Sequence, residues 1–560
     1  MRAQLLFIGH KSILQKMSFV RLNISLKTWL IFAFAFIYTI LLILTAWLSD
    51  DAYITFRSID NFINGYGLVW NIDEKVQAYT HPLWMFVLSL FTFLTKEFYF
   101  TSVVVSITIS LTALFLILKK ISISLNSLII AALVLLFSKS YLDYSTSGLE
   151  NPLTHILFVL FFIIYLDEHK PKNKLFLLSL ISSLSALNRL DSLLILLPAL
   201  LFEYFKSTDK LKNFAFIIIG FIPFFLWEMF SLFYYGFPFP NTAYAKLNTG
   251  IHKLELIEQG AFYLLDSLYM DPLTFFVLIA GILLPFILKK RELFPLAAGI
   301  LFHIIYLLNI GGDFMSGRFL SAPLLVSVVI FSRIEIKSIH KTLVIAVIII
   351  GFGFLSPRPN LLSTKHYSLG PKIIRAFRFG PTIIGMHNGI TDERFWYYEN
   401  TGLLNNLFER KLEKHPWVKH ALTFKKSRYE LVVKSSLGLF GFYIGRNVHV
   451  VDQYALTEPL LARLPSTEYW LMGHDKPKGE KFWRIGHFPR KIPAGYLETI
   501  KTGEDKIVSP DLAKYYDKLS ILTKGNLWNW NRITEIWDFN TGKYDYLLAE
   551  YNKTLQPISE

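Results

Sequence analysis

Apolar and polar positions divide this chain into two unlike parts. Up to about residue 356 long apolar runs follow one another, and beyond it the pattern is that of a soluble protein. A bilayer-spanning helix needs about 20 apolar residues. Candidate spans are 28–48, 98–118, 122–138, 152–167, 175–188, 190–206, 213–233, 272–289, 294–310, 318–333 and 341–356, a count of eleven. Residues 82–95 suit a re-entrant or interfacial segment as well as a span. Strand-like alternation in ELVVKSS and NVHVVDQY, set among turns, predicts an α+β region over 357–560. The expected fold is a polytopic α-helical membrane protein. It has a short N-terminal segment (1–27), a transmembrane domain (28–356) with a large external loop (49–81), and a C-terminal extracytoplasmic α+β domain (357–560).

Composition narrows the class. Of 560 residues 53% are hydrophobic and 18% charged, too few charges for a soluble surface of this size, and disorder is excluded by the same figures. Cysteine is absent, which removes disulfides, thiol nucleophiles and thiolate metal sites. The net charge of +15 reads as topology rather than nucleic-acid binding. Arg2, Lys11, Lys16, Arg21 and Lys27 place the N-terminus in the cytoplasm. Lys119–Lys120, the loops at 168–174, 206–212 and 289–291, and 333–341 fall on the same side. Leaving 82–95 out of the crossings keeps Lys119 and Lys120 inside. An odd number of crossings then puts the C-terminal region outside. The first apolar run lacks a small-residue cleavage site, so it is expected to stay as an anchor in the inner (plasma) membrane among its lipids.

The external side carries compact polar clusters: SDDAYITFR, DYSTSGLEN, NRLD, PFPNTAYAK and GGDFMSGR. Ionisable residues at a membrane boundary are costly unless paired or hydrated, so they are functional candidates. Asp50 and Asp51 directly follow the first span. A carboxylate there can accept a proton from an alcohol, and an arginine such as Arg57 can hold phosphate through its planar fork. That pairing suits sugar transfer from a lipid-phosphate donor. Equally, adjacent aspartates can simply mark a helix end.

The motifs also carry a resemblance. Residues 50–84, with DD, GYGLVWN and YTHPLW, resemble the first external loop of GT-C glycosyltransferases that use polyprenyl-phosphate sugars. They are most similar to the terminal β-(1→2) arabinofuranosyltransferase family of mycobacteria and its Gram-negative relatives. Ser147–Glu150, Asn188–Asp191, Pro240–Thr242 through Lys246, Gly311–Phe314 and Gly317–Arg318 continue the match. So do Val451–Asp452, Leu456–Pro459, Leu464–Pro465, Arg484–His487 and Pro493–Tyr496. The resemblance spans about residues 30–500. It implies that Asp50 or Asp51 is the catalytic base of an inverting transfer. It places Arg57, His81, Glu150, Arg189, Asp191, Lys246, Asp313 and Arg318 around the donor–acceptor cavity. Arginines and lysine would bind the lipid phosphate; carboxylates and Asn241 would hold sugar hydroxyls. Arg189 with Asp191 also fits a structural ion pair, and Arg318 a helix anchor.

Two departures bear on the sugar: Gln77 stands where many relatives carry Glu, and His81 where they carry a small polar residue. The implied partners are a polyprenyl-phosphate sugar donor and an envelope glycan or glycolipid acceptor, with no nucleic acid. No metal-ligand motif is evident and no cofactor is called for, although a divalent metal held by carboxylates would need no motif. The C-terminal tryptophans are expected mostly in the core or at interfaces, with 386–403 as the rim over the cavity. Alternatives are a polytopic transporter, disfavoured because the polar clusters gather at one face, and a non-catalytic envelope assembly factor on the same scaffold.

Overall fold

A computed structural model describes residues 25–168, 171, 173–247, 249–362, 367, 382–383, 386–427, 430–466 and 483–553. Arg2, Lys11, Lys16, Arg21 and Trp470 lie outside the described residues.

Every apolar run forms helix. The long ones include Leu26–Thr45, Tyr99–Leu116, Asn151–Tyr165, Lys174–Asn188, Ser192–Lys206, Phe294–Ile310 and Ile339–Leu355. At their centre sits Ser321–Ser332, buried almost all round, as expected of a helix that is apolar on every face. It packs against Leu125–Phe137, Asn151–Tyr165, Pro272–Ile287 and Phe294–Ile310. The outer helices show the opposite pattern. Lys210–Gly220 buries only Gly220, and Leu26–Thr45 leaves Trp29, Phe32 and Phe36 exposed. Such apolar belts are tolerated where lipid is the solvent. The chain is a helical membrane protein.

The number of crossings is less plain. Among the described residues three helices, Leu26–Thr45, Tyr99–Ile121 and Arg291–Ile310, are long and apolar enough to cross a bilayer. Two bent pairs raise this to five: Lys210–Gly220 with Ile222–Tyr235 at 46°, and Lys253–Met270 with Pro272–Ile287 at 115°. The other apolar helices run 10–17 residues. At 1.5 Å per residue these fall short of a hydrocarbon core of about 30 Å. Eleven crossings therefore do not follow from helix length.

The external loops are themselves folded. Ser49 caps the helix Asp50–Ile63, so the paired aspartates occupy a first turn, where the helix dipole favours negative charge. Loop 234–271 holds the helices Asn241–Leu247 and Lys253–Met270. In the C-terminal region, Leu431–Lys434 pairs in parallel with His449–Asp452 (Leu431 opposite His449), joined through the helix Gly438–Ile444. Thr382–Ile383, Met386–His387 and Ile390–Thr391 form a small antiparallel sheet. Helices make up most of the rest.

This region shares its core with the first external loop. Tyr53, Phe56, Leu68 and Trp84 pack in one apolar cluster with Tyr398, Leu403, Val418 and Leu439. Trp528, Trp530 and Trp537 depart from expectation, being exposed. Trp528 stacks near Phe233 at the end of an apolar helix, a setting typical of aromatic rings at a membrane interface.

Candidate functional site

Helical geometry separates the two aspartates. Neighbours on a helix point about 100° apart. Asp50 turns toward the C-terminal region and accepts the backbone N–H groups of Gly438 (3.0 Å) and Leu439 (2.7 Å). The backbone of Asp50 approaches Gly438 so closely that any side chain there would collide with it. Burial still pushes the Asp50 carboxyl up to about 7. Asp51 makes no such bond. Burial raises its carboxyl too, opposed by the charges of Arg318 and Lys246.

The centre of the cluster is Glu150, fully buried ahead of the helix Asn151–Tyr165. Arg318 Nη2 reaches both its oxygens, at 3.1 and 3.2 Å, and Arg189 Nη1 donates to Oε1 at 2.8 Å. Burial alone would raise this carboxyl, but Arg318, Arg189 and His81 outweigh it and hold it well below the usual range. Arg189 also grips Asp191 through two bonds of 3.0 and 2.7 Å and stacks on Phe319. His81 lies 3.5 Å from Glu150 and hydrogen-bonds Thr55 at 2.9 Å. Burial brings its imidazole down to about 4, so it is neutral near pH 7.

Two residues near this cluster have unmet bonding capacity. Asp313 is buried, with Oδ2 lacking a hydrogen bond and 3.9 Å from Arg318 Nη1. Lys246 is open to solvent and has no hydrogen bond or ion pair among the described residues; desolvation lowers its pKa, against the pull of Asp313. Each of the five polar clusters thus supplies at least one member: Asp51, Glu150, Arg189 with Asp191, Lys246, and Asp313 with Arg318.

Other expected residues go elsewhere. Arg57 donates to the carbonyls of Trp70, Gly441 and Val448 and to Asn71 Oδ1, and stacks on Trp70. These bonds tie the external loop to the C-terminal region and leave it no free fork for phosphate. Asn241 donates to the carbonyls of Ala455, Leu456 and Glu458 and accepts from Arg463. Gln77 is satisfied by Tyr79 O and Ser231, so this departure from the family pattern falls outside the cluster.

Three residues were not among the site residues expected from the sequence. Glu393 lies in the 386–403 segment expected at the rim. It is buried, pushed up to about 8 by desolvation, and feels the charge of Arg484, Asp51, Asp50 and Asp313. Arg484 reaches Glu393 at 3.4 Å and stacks over Phe314. His487 packs edge-on to Phe314 and leaves Nδ1 buried without a partner. The last two belong to the Arg484–His487 motif, whose basic pair was the available signal.

Comparison with known proteins agrees with the family resemblance read from the sequence. The chain is 24% identical over 524 residues to the terminal β-(1→2)-arabinofuranosyltransferase of Mycobacterium tuberculosis, covering 77% of this chain and 80% of the relative. It is 24% identical over 553 residues to the protein of the same name from Corynebacterium glutamicum, covering 82% and 77%. The chain resembles a family of glycosyltransferases. The likeness covers about four-fifths of both partners, so it reaches well past the first external loop. No protein-family model matches, and no solved structure matches.

Proposed function

We propose that the chain is a membrane glycosyltransferase that moves a sugar from a polyprenyl-phosphate donor to an envelope glycan or glycolipid on the extracytoplasmic face. The observation that carries this is the contrast between Asp51 and Asp50. Among the described residues Asp51 makes no hydrogen bond, and it sits within electrostatic reach of Arg318 and Lys246. Asp50 caps a helix.

Asp51 is then the base. It takes the proton of the acceptor hydroxyl as that oxygen attacks the anomeric carbon. Lys246 and Arg318 stabilise the departing lipid phosphate, whose negative charge develops as its bond to the sugar breaks. Glu150, pinned between two arginines, holds Arg318 in place. The sugar being arabinofuranose is supported by the names of the relatives. Eleven crossings, with the N-terminus inside and residues 357–560 outside, remain the topology that best accommodates the basic loops.

The test is Asp51→Asn in membranes supplied with a radiolabelled polyprenyl-phosphate pentose. Transfer should fall by about 10²–10⁴-fold with thermal stability retained. Full activity in that variant would overturn the assignment. A single displacement inverts the anomeric centre, so a β-linked product from a β-linked donor would rule that mechanism out.

A further inference from the structure

A second ionic cluster lies where the first external loop meets the C-terminal region. It shares no residue with the Asp51 site. Asp73 and Glu74 come from the loop; His449 opens the strand His449–Asp452, and Glu458 follows in the next turn. His449 Nδ1 sits 2.9 and 3.0 Å from the two oxygens of Asp73, which fixes the proton on that nitrogen. Nε2 accepts one long bond of 3.3 Å from Asn71 Nδ2. It also faces Glu458 Oε1 at 3.7 Å and Glu74 Oε1 at 3.9 Å. Neither distance is a hydrogen bond. The three atoms lie within 4.8 Å of one another.

The surroundings do not neutralise them. Glu458 is fully buried and its Oε1 has no hydrogen-bond partner, while its other oxygen accepts from Tyr496 at 2.9 Å. Glu74, also buried, takes only a long bond of 3.3 Å from Asn71 Nδ2. The Asn71 amide satisfies them only in part: its two N–H groups are shared among Glu74, His449 Nε2 and the Val450 carbonyl, each at 3.3 Å. Its oxygen is held by Arg57 Nη2 and by the backbone N–H of Val450, both at 3.2 Å. Lys524 lends some positive charge to Glu74 and Asp73, but its ammonium bonds to Tyr516. Three carboxylates therefore converge on one imidazole, and a buried charge cluster of that kind needs a counter-charge, from extra protons or from a bound cation.

We propose that Glu74, His449 Nε2 and Glu458 bind one divalent cation of the zinc or manganese class, which staples the first external loop to the C-terminal region. An imidazole with two carboxylates is a donor set suited to those ions. Metal–ligand bonds of about 2.1 Å in a tetrahedral shell put the donors about 3.4 Å apart, against 3.7 and 3.9 Å from Nε2 to the two carboxylates here. Asp73 acts behind the histidine, setting its tautomer as carboxylates do behind metal-bound imidazoles. The ion would hold a loop whose first helix carries Asp51, some twenty residues upstream of Glu74.

The experiment uses the full chain in detergent without an affinity tag, stripped with EDTA and reloaded with zinc chloride or manganese chloride. After desalting, elemental analysis should find one equivalent per chain, and the melting temperature should rise on loading. Glu458→Gln should abolish both effects. Asp73→Asn should weaken the metal about 10–100-fold. Asp51→Asn should bind as the wild type does, which separates this site from the transfer reaction. Failure of the wild type to retain a stoichiometric ion, or retention unchanged in Glu458→Gln, overturns the proposal. Should Glu458→Gln not fold, X-ray absorption on the zinc-loaded wild type decides. One imidazole among oxygen donors is expected; a shell with no imidazole, or with several, overturns it.

Discussion

The two buried ionic clusters of this protein solve opposite problems. Around Glu150, two arginines from different segments converge on one carboxylate, and each also faces a second, Arg189 with Asp191 and Arg318 with Asp313. Around His449, three carboxylates converge on one imidazole. Beside the first, Lys246 has no hydrogen bond or ion pair among the described residues, which suits an incoming anion. The second leaves a buried carboxylate oxygen without a donor, which suits an incoming cation. Burial makes both imbalances costly, so each tells what kind of partner is missing.

The largest way to break this contrast is to remove the anion at the centre of the first cluster. Glu150→Ala takes from Arg318 its hydrogen-bonded carboxylate, while Arg189 keeps Asp191, and should cost about 3–5 kcal/mol of stability, read as a large drop in thermal midpoint. Glu150→Gln should lose less, because one oxygen still accepts. If neither variant is destabilised, the two arginines must already find other partners.

Stripping divalent cations should invert the pH dependence of stability. Without metal, burial lowers the His449 imidazole, but Asp73 and Glu458 outweigh it and carry it to about 10. Glu74 is pushed to about 8 by burial and by Glu458. Both values exceed those of the unfolded chain, so the folded form binds extra protons. Its stabilisation by His449 is complete below about pH 6.5 and is lost as pH rises through 10. The Glu74 term falls from about pH 4.5 to 8 in the same direction. Metal-free protein should thus melt lower at pH 9 than at pH 6. Loaded protein should gain from metal over the same interval, because the ligands must shed protons to bind. Asp452 and Lys524 face the same cluster, and the comparison of loaded with stripped protein holds them constant.

Lys246→Ala sharpens the contrast from the other side. Lys246 has no hydrogen bond or ion pair among the described residues, so its loss should shift the melting temperature little. Transfer should fall about 10–100-fold, an effect of the size expected when one charge-assisted contact to a phosphate is lost. The smallest effect is expected for Tyr496→Phe. It removes one bond to Glu458 and should cost about 1 kcal/mol in metal-free protein, measured by chemical denaturation.

The candidate site was legible in proportion to how local its signal is. Asp51, Glu150, Arg189, Lys246 and Arg318 stood out because ionisable residues in short polar breaks between apolar runs are rare for energetic reasons. Arg57 and Asn241 stood out for the same reason and went elsewhere. Both dock the external loops onto the C-terminal region, through carbonyls no linear pattern announces. Glu393 and the Glu74–His449–Glu458 cluster were hidden because the fold brings them together from distant segments, Glu393 to Asp51 and Glu74 to His449. The strand pair was visible in the alternation of residues 430–454, though its parallel register was not.

Sequence alone determined that the chain is a helical membrane protein, because twenty-odd apolar residues in a row have few other places to go. It also determined which breaks between helices carry charge, and that their order matches a glycosyltransferase family. Only the tertiary structure decided between Asp50 and Asp51. Two adjacent carboxylates look alike in a string of letters. A helical turn sends one to cap Gly438 and Leu439 and the other toward Arg318 and Lys246, and that difference depends on what the fold brings up against each side.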